Sequence, residues 1–200
     1  MNRLGRLLVI SPLIFAVVVS TTGYSDQSRV GVSALPTTNH LKLVTRVFSM
    51  VRSSPIRIQI PSIGVDSKLM KLGLLKDGSL QVPPSAFPAG WYSGSPTPGE
   101  MGPSIIAGHI DWNGPGVFYR LNRMQLGDQI KVARVDGTTA TFTVTRIAAF
   151  LKSKFPTSAV YGDLNYPGLR LITCDDYDFK AHKYLRDTVV FADLNSLQNQ

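Results

Sequence analysis

The nucleophilic chemistry open to this chain depends on a single cysteine. Cys174 follows the apolar run Leu169–Thr173 and precedes the charged pair Asp175-Asp176, so we predict that it ends a strand. That position gives the thiol low-dielectric walls on one side and solvent access on the other. Burial raises the pKa of a thiol and makes it a slower nucleophile at neutral pH. Catalysis therefore requires a neighbour that stabilises the thiolate and returns a proton to the leaving amine, which a histidine can do.

His109 is the histidine best placed for that role. It follows the apolar stretch Ser104–Ala107 and Gly108, so it emerges at the tip of a predicted strand. Small residues at such a tip leave room for a substrate backbone to approach. Histidines at strand ends are more often structural, so the residue alone is a weak signal. His182 lies in a Lys-rich loop predicted to face solvent, and His40 lies in a polar segment.

Arg186 supplies a candidate for charge stabilisation. It stands twelve residues after Cys174 and is predicted to begin the final strand. A fixed guanidinium there could bind an oxyanion or a substrate carbonyl, although a surface arginine at a strand end is the plainer interpretation. Arg170 shares a predicted strand face with Cys174, but four residues of strand separate the two by about 13 Å. That distance is too long for an oxyanion contact.

Two motifs together resemble the sortases, the membrane-anchored cysteine transpeptidases of Gram-positive bacteria. The motif Leu171-Ile172-Thr173-Cys174, followed by an arginine near the last strand, is specific, and so is Ala107-Gly108-His109 upstream. The resemblance covers about residues 55–194 and is closest to the actinobacterial class F. One departure is the Asp175-Asp176 pair, where class F members more often carry Gly-Gly. Four further stretches are typical of that class: Ala89–Tyr92, Pro98–Pro103, Gly114–Leu121 and Phe155–Thr157.

The resemblance implies an eight-stranded β-barrel and a two-step reaction. Such enzymes cleave a Leu-Pro-x-Thr-Gly sorting signal after Thr, form a thioacyl intermediate and pass it to a cell-wall amine. It implies that Cys174 is the nucleophile, His109 the general acid/base and Arg186 the oxyanion or substrate clamp. Asp111, two residues after the histidine, is in an alternating position and is assigned an orienting role at the substrate. Two residues match positions lining the sorting-signal groove: Ala107 and Thr173.

The elements that must position these residues are predominantly strands. Short β-rich runs separated by turn signals predict a mainly β fold, a single closed barrel or sandwich of the antiparallel class. Only Tyr119–Gln125 looks helical, and the Pro/Gly-rich stretches Pro83–Pro103 and Pro156–Pro167 are predicted loops. The predicted strands are Arg57–Ile60, Val65–Leu69, Leu80–Val82, Ser104–His109, Gln129–Val135, Thr139–Ile147, Leu169–Cys174 and Thr188–Leu194.

The N-terminus predicts export of the catalytic part. Arg3 and Arg6 precede the uncharged run Leu7–Ser25, which as a helix reaches about 28 Å, just enough for a bilayer core. Basic residues before the run and Asp26 after it orient the N-terminus towards the cytosol. We favour a retained single-pass membrane anchor with an extracytoplasmic domain over a cleaved signal peptide, which would give a secreted form.

Three regions follow along the chain. Residues 1–25 are the signal or anchor, 26–54 an extracytoplasmic linker and 55–200 the catalytic domain. Within the linker, Leu35–Asn39 (Leu-Pro-Thr-Thr-Asn) mimics a sorting signal, either by chance or because it folds back into the groove. Secreted domains generally use cysteines in pairs, so an exported single cysteine requires a reason, and chemistry is one.

The charge distribution limits the partners. The net charge is +8, but the first 54 residues carry +5 of it, six Lys and Arg against one Asp. The folded part thus has no basic stripe, which excludes nucleic acid and leaves anionic membrane lipid or wall polymer. The expected partners are secreted proteins with a C-terminal sorting signal and a peptidoglycan-precursor amine or another acceptor. We expect a monomer with no metal or other cofactor.

Other classes of protein remain as alternatives. An exported, non-catalytic wall-binding barrel would keep Cys174 as a passive core residue. Papain-like wall peptidases place the cysteine before the histidine and at a helix start, the reverse of the order here. L,D-transpeptidases show a Gly-Cys-Arg motif that this chain lacks.

Overall fold

The computed structural model describes residues 48–195 of the chain. The predicted anchor 1–25, most of the predicted linker 26–54 and its stretch Leu35–Asn39 lie outside the described residues. The described part contains eight strands, one short α-helix and three single 3-10 turns. The elements are β1 Pro55–Ile60, β2 Val65–Leu72, β3 Ala89–Tyr92, β4 Gly102–Ala107, β5 Gln129–Arg134, β6 Thr139–Leu151, α1 Thr157–Tyr161, β7 Pro167–Asp178 and β8 Lys183–Leu194.

The strands close into one barrel in the order β1-β2-β3-β4-β7-β8-β6-β5, and β5 pairs back onto β1. The predicted mainly β, eight-stranded closed barrel is therefore confirmed. The predicted antiparallel class is wrong for two pairs, because β2 runs parallel to β3 and β4 runs parallel to β7. Parallel neighbours need a crossover connection of a dozen or more residues. The long segments after β2 and after β4 provide those connections.

Some predicted boundaries are wrong where proline and glycine dominate. β3 lies inside the predicted loop Pro83–Pro103, because Gly90 lets the strand approach β2 so closely that an added Cβ would overlap the Leu72 side chain. The predicted strand Leu80–Val82 contributes only an isolated bridge to Leu74. The predicted loop Pro156–Pro167 contains α1, and the predicted helix Tyr119–Gln125 is the 3-10 turn Leu121–Arg123.

The barrel is filled by inward-facing apolar side chains that alternate along each strand, as the period of two in a strand requires. Closure also removes the exposed edges on which sheets aggregate. The fully buried core members include Ile58, Ile130, Phe142, Leu171 and Val190.

A second apolar cluster covers the outer face of β4, β7 and β8. Its members Ile105, Ile172, Val189 and Phe191 pack with Val160 of α1. Both faces of these three strands are therefore buried near their middles, which makes them a rigid support for residues at their ends.

Residues 50–54, which we predicted to be linker, are hydrogen-bonded to the barrel. The Met50 amide donates to the Gly99 carbonyl at 2.7 Å, and the Val135 amide donates to the Ser54 carbonyl at 2.9 Å. The guanidinium of Arg134, which is buried, donates to the Val51 carbonyl. Such bonds to backbone groups hold the chain where it enters β1.

Candidate active site

The end of β4 opens the sheet beside Cys174. β4 pairs with β7 as far as Ala107 and Ile172, and there β4 stops. The next two residues of β7, Thr173 and Cys174, therefore have no ladder partner on the β4 side. Cys174 is half-buried, and β7 continues beyond it to Asp178, so our prediction that the cysteine ends its strand is wrong.

Two hydrogen bonds fasten the chain after β4 to β7. The Gly108 amide donates to the Ile172 carbonyl at 3.1 Å, and the Thr173 hydroxyl donates to the Gly108 carbonyl at 2.8 Å. His109 follows Gly108 directly. The segment after β4 and the strand β7 therefore carry the His109 and Cys174 side chains into the same region. His109 and Cys174 line the same groove.

The orientation of His109 is set by its backbone and by a carbonyl. Its Nε2 lies 2.7 Å from the Pro83 carbonyl oxygen, and only a protonated nitrogen can donate there, so Nδ1 is left as the acceptor of the neutral ring. The Trp112 ring packs at a tilt against the imidazole, 4.8 Å between centroids. The Phe118 amide donates to the His109 carbonyl at 2.9 Å, which ties the histidine to the tight loop around Gly116.

Lys152 and Asp187 are charged groups that act on the thiol. Lys152 Nζ lies 3.6 Å from Cys174 Sγ and 2.7 Å from Asp187 Oδ1. Burial raises the pKa of the Cys174 thiol, the Lys152 charge opposes that rise, and the Asp187 and Asp111 carboxylates add to it. Burial lowers the pKa of Lys152, but the hydrogen bond to Asp187 and the Cys174 charge outweigh it, so the net shift is upward.

The groove has a volume of about 970 Å³, which lies within the size range of ligand sites in proteins. The segment Leu80–Pro83 forms one wall, and Phe155, Thr157 and Tyr161 from the connection after β6 contribute to another. The predicted groove residues Ala107 and Thr173 both line it. The thiol of Cys174 and the imidazole of His109 are both among the groups that line this groove.

Asp111 lies near the site and does not line the groove. It follows His109 by two residues and is exposed to solvent. Its carboxylate contributes, after burial, to raising the pKa of Tyr184, and it also raises the pKa of Cys174. Its predicted orienting role stays a prediction.

Arg186 is not brought to the thiol. β8 begins at Lys183, not at Arg186, and in the ladder Asp187 stands opposite Cys174 while Arg186 stands opposite Asp175. Because successive strand residues point to opposite faces, Arg186 projects away from the face that Cys174 shares with Asp187. Its guanidinium forms an ion pair with Asp176 at 3.3 Å and is half-exposed.

Arg170, the arginine of β7 that precedes Cys174, is buried in the outer cluster. Its guanidinium lies over the Phe191 ring at 4.6 Å and donates to the Leu169 carbonyl. It does not line the groove, in agreement with the distance inferred from the sequence.

Sequence reasoning missed Lys152 and Asp187. Lys152 sits in the stretch Lys152-Ser153-Lys154, which reads as an ordinary basic turn. Asp187 stands opposite Cys174 because of the register of the β7–β8 hairpin, which the sequence does not reveal.

The acidic residues after Cys174 are engaged within the protein. Asp175 accepts from the Thr188 hydroxyl at 2.7 Å, and Asp178 accepts from the Lys180 and Ala181 amides. Across residues 48–195 no group of three His, Cys, Asp or Glu side chains is close enough to hold a metal. In that same part of the chain, no helix has both the length and the apolar character to cross a membrane.

Comparison with known proteins places this barrel among characterised families. A family model described as "Sortase domain" matches residues 58–195, which is more than two thirds of the chain. The structure is similar to a lid mutant of Sortase A from Corynebacterium diphtheriae, with 22% identity, a TM-score of 0.57 and coverage of 74% of each chain.

Two further solved structures share the fold. Sortase C1 from Streptococcus agalactiae is 20% identical with a TM-score of 0.57, covering 72% of this chain and 68% of that one. Sortase C-1 from Actinomyces oris is 21% identical with a TM-score of 0.57, covering 71% and 72%. No curated protein matches the sequence.

Proposed function

Because this chain belongs to the sortase family and is a cysteine transpeptidase, we propose that it cleaves a Leu-Pro-x-Thr-Gly type sorting signal after Thr and transfers the acyl group to a cell-wall amine. The observation that carries the proposal is the joint exposure of Cys174 and His109 in one peptide-sized groove. The bonds from Gly108 and Thr173 that fasten β4 to β7 hold the two side chains there.

In the first step, Cys174 Sγ attacks the Thr carbonyl carbon as a thiolate. The C–N bond to the following Gly breaks, and the departing amine takes a proton from the His109 imidazolium. The product is a thioester between Cys174 and the sorting signal. The Pro83 carbonyl accepts a hydrogen bond from Nε2 in either protonation state of the ring, so the imidazole keeps its orientation through the cycle.

In the second step, the acceptor amine attacks the thioester carbonyl. His109 takes a proton from that amine, the C–S bond breaks, and the Cys174 thiolate is regenerated. No electrons leave or enter the system, so the reaction needs no redox partner. Ala107 and Thr173, which line the groove, are proposed to contact the sorting signal. Asp111 and Arg186 are proposed to act on the substrate from the rim.

The proposed location of the enzyme rests on its family and on the predicted N-terminal anchor. Members of the family are generally membrane-associated and extracytoplasmic. We propose a class F type enzyme held by its N-terminal segment on the outer face of a Gram-positive membrane. Its partners would be secreted proteins with C-terminal sorting signals and a peptidoglycan-precursor amine.

The direct test is mass spectrometry of the protein after incubation with a panel of Leu-Pro-x-Thr-Gly and Leu-Ala-x-Thr-Gly peptides. We expect a covalent adduct on Cys174 that disappears when an amine is added, with transfer product formed. Cys174→Ala should abolish both while leaving the fold intact, because a half-buried thiol contributes only modest packing. His109→Ala should block both formation and resolution of the adduct.

Two results would count against the proposal. If Cys174→Ala retained peptide cleavage, the thiol would not be the nucleophile. If the unaltered protein bound wall polymer but formed no adduct with any peptide of the panel, the barrel would be a binding module.

A further inference from the structure

We propose that Lys152, held in place by Asp187, is the cation that stabilises the Cys174 thiolate, a role separate from the oxyanion or substrate clamp that the family resemblance assigns to Arg186. The inference rests on the proposed function, in which Cys174 is the nucleophile. It concerns a residue that touches the reacting atom and is therefore catalytic in that sense.

Lys152 is close enough to the thiol to form a hydrogen bond with it. Lys152 Nζ lies 3.6 Å from Cys174 Sγ, within hydrogen-bond range for sulfur, and 2.7 Å from Asp187 Oδ1. All three side chains line the same groove. The Asp187 carboxylate is mostly buried, whereas the Lys152 side chain is less than half exposed. The aspartate thus fixes the end of a flexible lysine stem next to the thiol.

The register of the strands also brings Lys152 and Asp187 to the thiol. Asp187 stands directly opposite Cys174 in the β7–β8 ladder, so the two side chains share one face of the sheet. Lys152 follows the last residue of β6, Leu151, which pairs with Arg186 of the same strand β8. Three strands therefore bring the lysine, the aspartate and the thiol together by backbone pairing.

The other cationic side chains in the region of Cys174 have other partners or another role. The Arg186 guanidinium pairs with Asp176, and Arg170 is buried against Phe191. His109 lines the groove, but the mechanism uses it to carry the proton. Lys152 is the cation that the described residues place in contact with the sulfur.

The charges balance in a way that suits a nucleophile. Lys152 and Asp187 form a neutral pair whose positive end faces Sγ, so the thiolate gains attraction and the free thiol gains little. Burial lowers the pKa of Lys152, but the hydrogen bond to Asp187, together with the charges of Cys174 and Asp187, more than offsets it, so Lys152 stays protonated. Lys152 transfers no proton in either step. Asp111 after β4 also acts on the thiol and raises its pKa, and the Cys174 charge raises the pKa of Tyr184 of β8. The other titratable side chains that line the groove with Cys174, Lys152 and Asp187 are His109, Tyr161, Tyr92 and Asp163.

The test compares Lys152→Met with Lys154→Met, a matched control two residues further along the same turn that does not line the groove. The first measurement is the rate of iodoacetamide alkylation of Cys174 between pH 6 and 10, followed by mass spectrometry. The second measurement is kcat/KM for peptide transfer. Thermal melts establish that each variant is folded, and Lys152→Arg keeps the test available if the methionine variant is not.

We expect Lys152→Met to move the alkylation profile to higher pH and to slow alkylation at pH 7 by about tenfold, the lower part of what a charge at this distance contributes. The value of kcat/KM should fall at least as much. Lys154→Met should match the parent, and Lys152→Arg should recover most of the loss. In an Asp187→Asn background the effect of Lys152→Met should shrink, because the lysine is no longer held.

An unchanged alkylation profile and unchanged kcat/KM in Lys152→Met would overturn the inference, as would an equivalent shift caused by Arg186→Ala. An equal effect of Lys152→Met in the parent and in the Asp187→Asn background would show that Asp187 does not hold the lysine at the thiol. These outcomes are distinct from failure of the proposed function, which would appear as a parent protein that alkylates normally but transfers no peptide.

Discussion

Replacing Gly116 by alanine tests whether backbone packing holds His109 in place. The φ angle of Gly116 lies outside the left-handed region, so the only obstacle to a side chain is space. A Cβ built there would lie 2.7 Å from the His109 carbonyl carbon and 3.0 Å from the His109 Cβ, and closer still to the carbonyl oxygen. Carbon atoms in ordinary contact stay about 3.5 Å apart, so the His109 backbone would have to retreat by about 0.8 Å.

That displacement affects both stability and turnover. It stretches the 2.9 Å hydrogen bond from the Phe118 amide to the His109 carbonyl, and overpacking of this kind costs about 1–3 kcal/mol. At roughly 2–4 °C per kcal/mol for a chain of this size, the melting temperature should fall by about 2–12 °C. A catalytic group misplaced by about 1 Å can lose about 10² in rate, so kcat should fall by that order.

The assay is peptide transfer measured below the melting transition of the variant, together with a thermal melt. Gly137→Ala in the β5–β6 turn is the matched control, because its φ of +82° disfavours alanine while a new Cβ would meet no atom within 4 Å. Gly137→Ala should also melt lower but transfer peptide at the parental rate. The reasoning is refuted if Gly116→Ala melts lower but keeps parental kcat, since the loop would then yield without moving the imidazole.

Two further predictions concern stability. Phe118 is fully buried beneath Gly108, so replacing it by alanine should lower the free energy of unfolding by about 3–5 kcal/mol and the melting temperature by roughly 6–20 °C. A loss of unfolding free energy under about 1 kcal/mol in a denaturant titration would contradict its place in the core. Burial raises the pKa of Cys174, so the folded state favours the neutral thiol, and the melting temperature of the parent relative to Cys174→Ala should decline as pH rises from about 8 to 10, where the unfolded thiol ionises first. A parent that gained stability relative to the variant over that interval would show that the thiolate is favoured in the folded state.

Most strand positions could be predicted from the sequence, because alternating burial leaves a local signal, whereas the choice of a closed barrel over a sandwich comes from the family resemblance. β6 illustrates this, since Thr139–Val144 alternates between exposed or partly buried and buried positions as its residue types do. β3 could not be predicted, because its glycine and its proline-rich surroundings are typical of loops. The two parallel pairs could not be predicted either, because they depend on crossovers between distant parts of the chain.

Part of the candidate site could likewise be predicted from the sequence, and part could not. Cys174 and His109 follow local motifs, and the groove contains both. Lys152 is 22 residues from Cys174 and reaches it only through the pairing of β6, β8 and β7. No local pattern distinguishes it from Lys154. The one-residue difference between Arg186 and Asp187 is a matter of hairpin register, which side-chain types alone do not determine.

The register of the β7–β8 hairpin has a consequence for how such sites change over time. The residues Val189–Ala192 are buried whichever face they occupy, so sliding β8 by one position would exchange apolar groups for apolar groups over that stretch. A one-residue insertion in the turn after Asp178 that slid β8 in this way would set Arg186 opposite Cys174 and turn Asp187 to the other face. A site with Lys152 and Asp187 beside the thiol and a site with Arg186 there would then differ by the insertion of one codon in a surface turn. None of the residues of the site would have to be substituted.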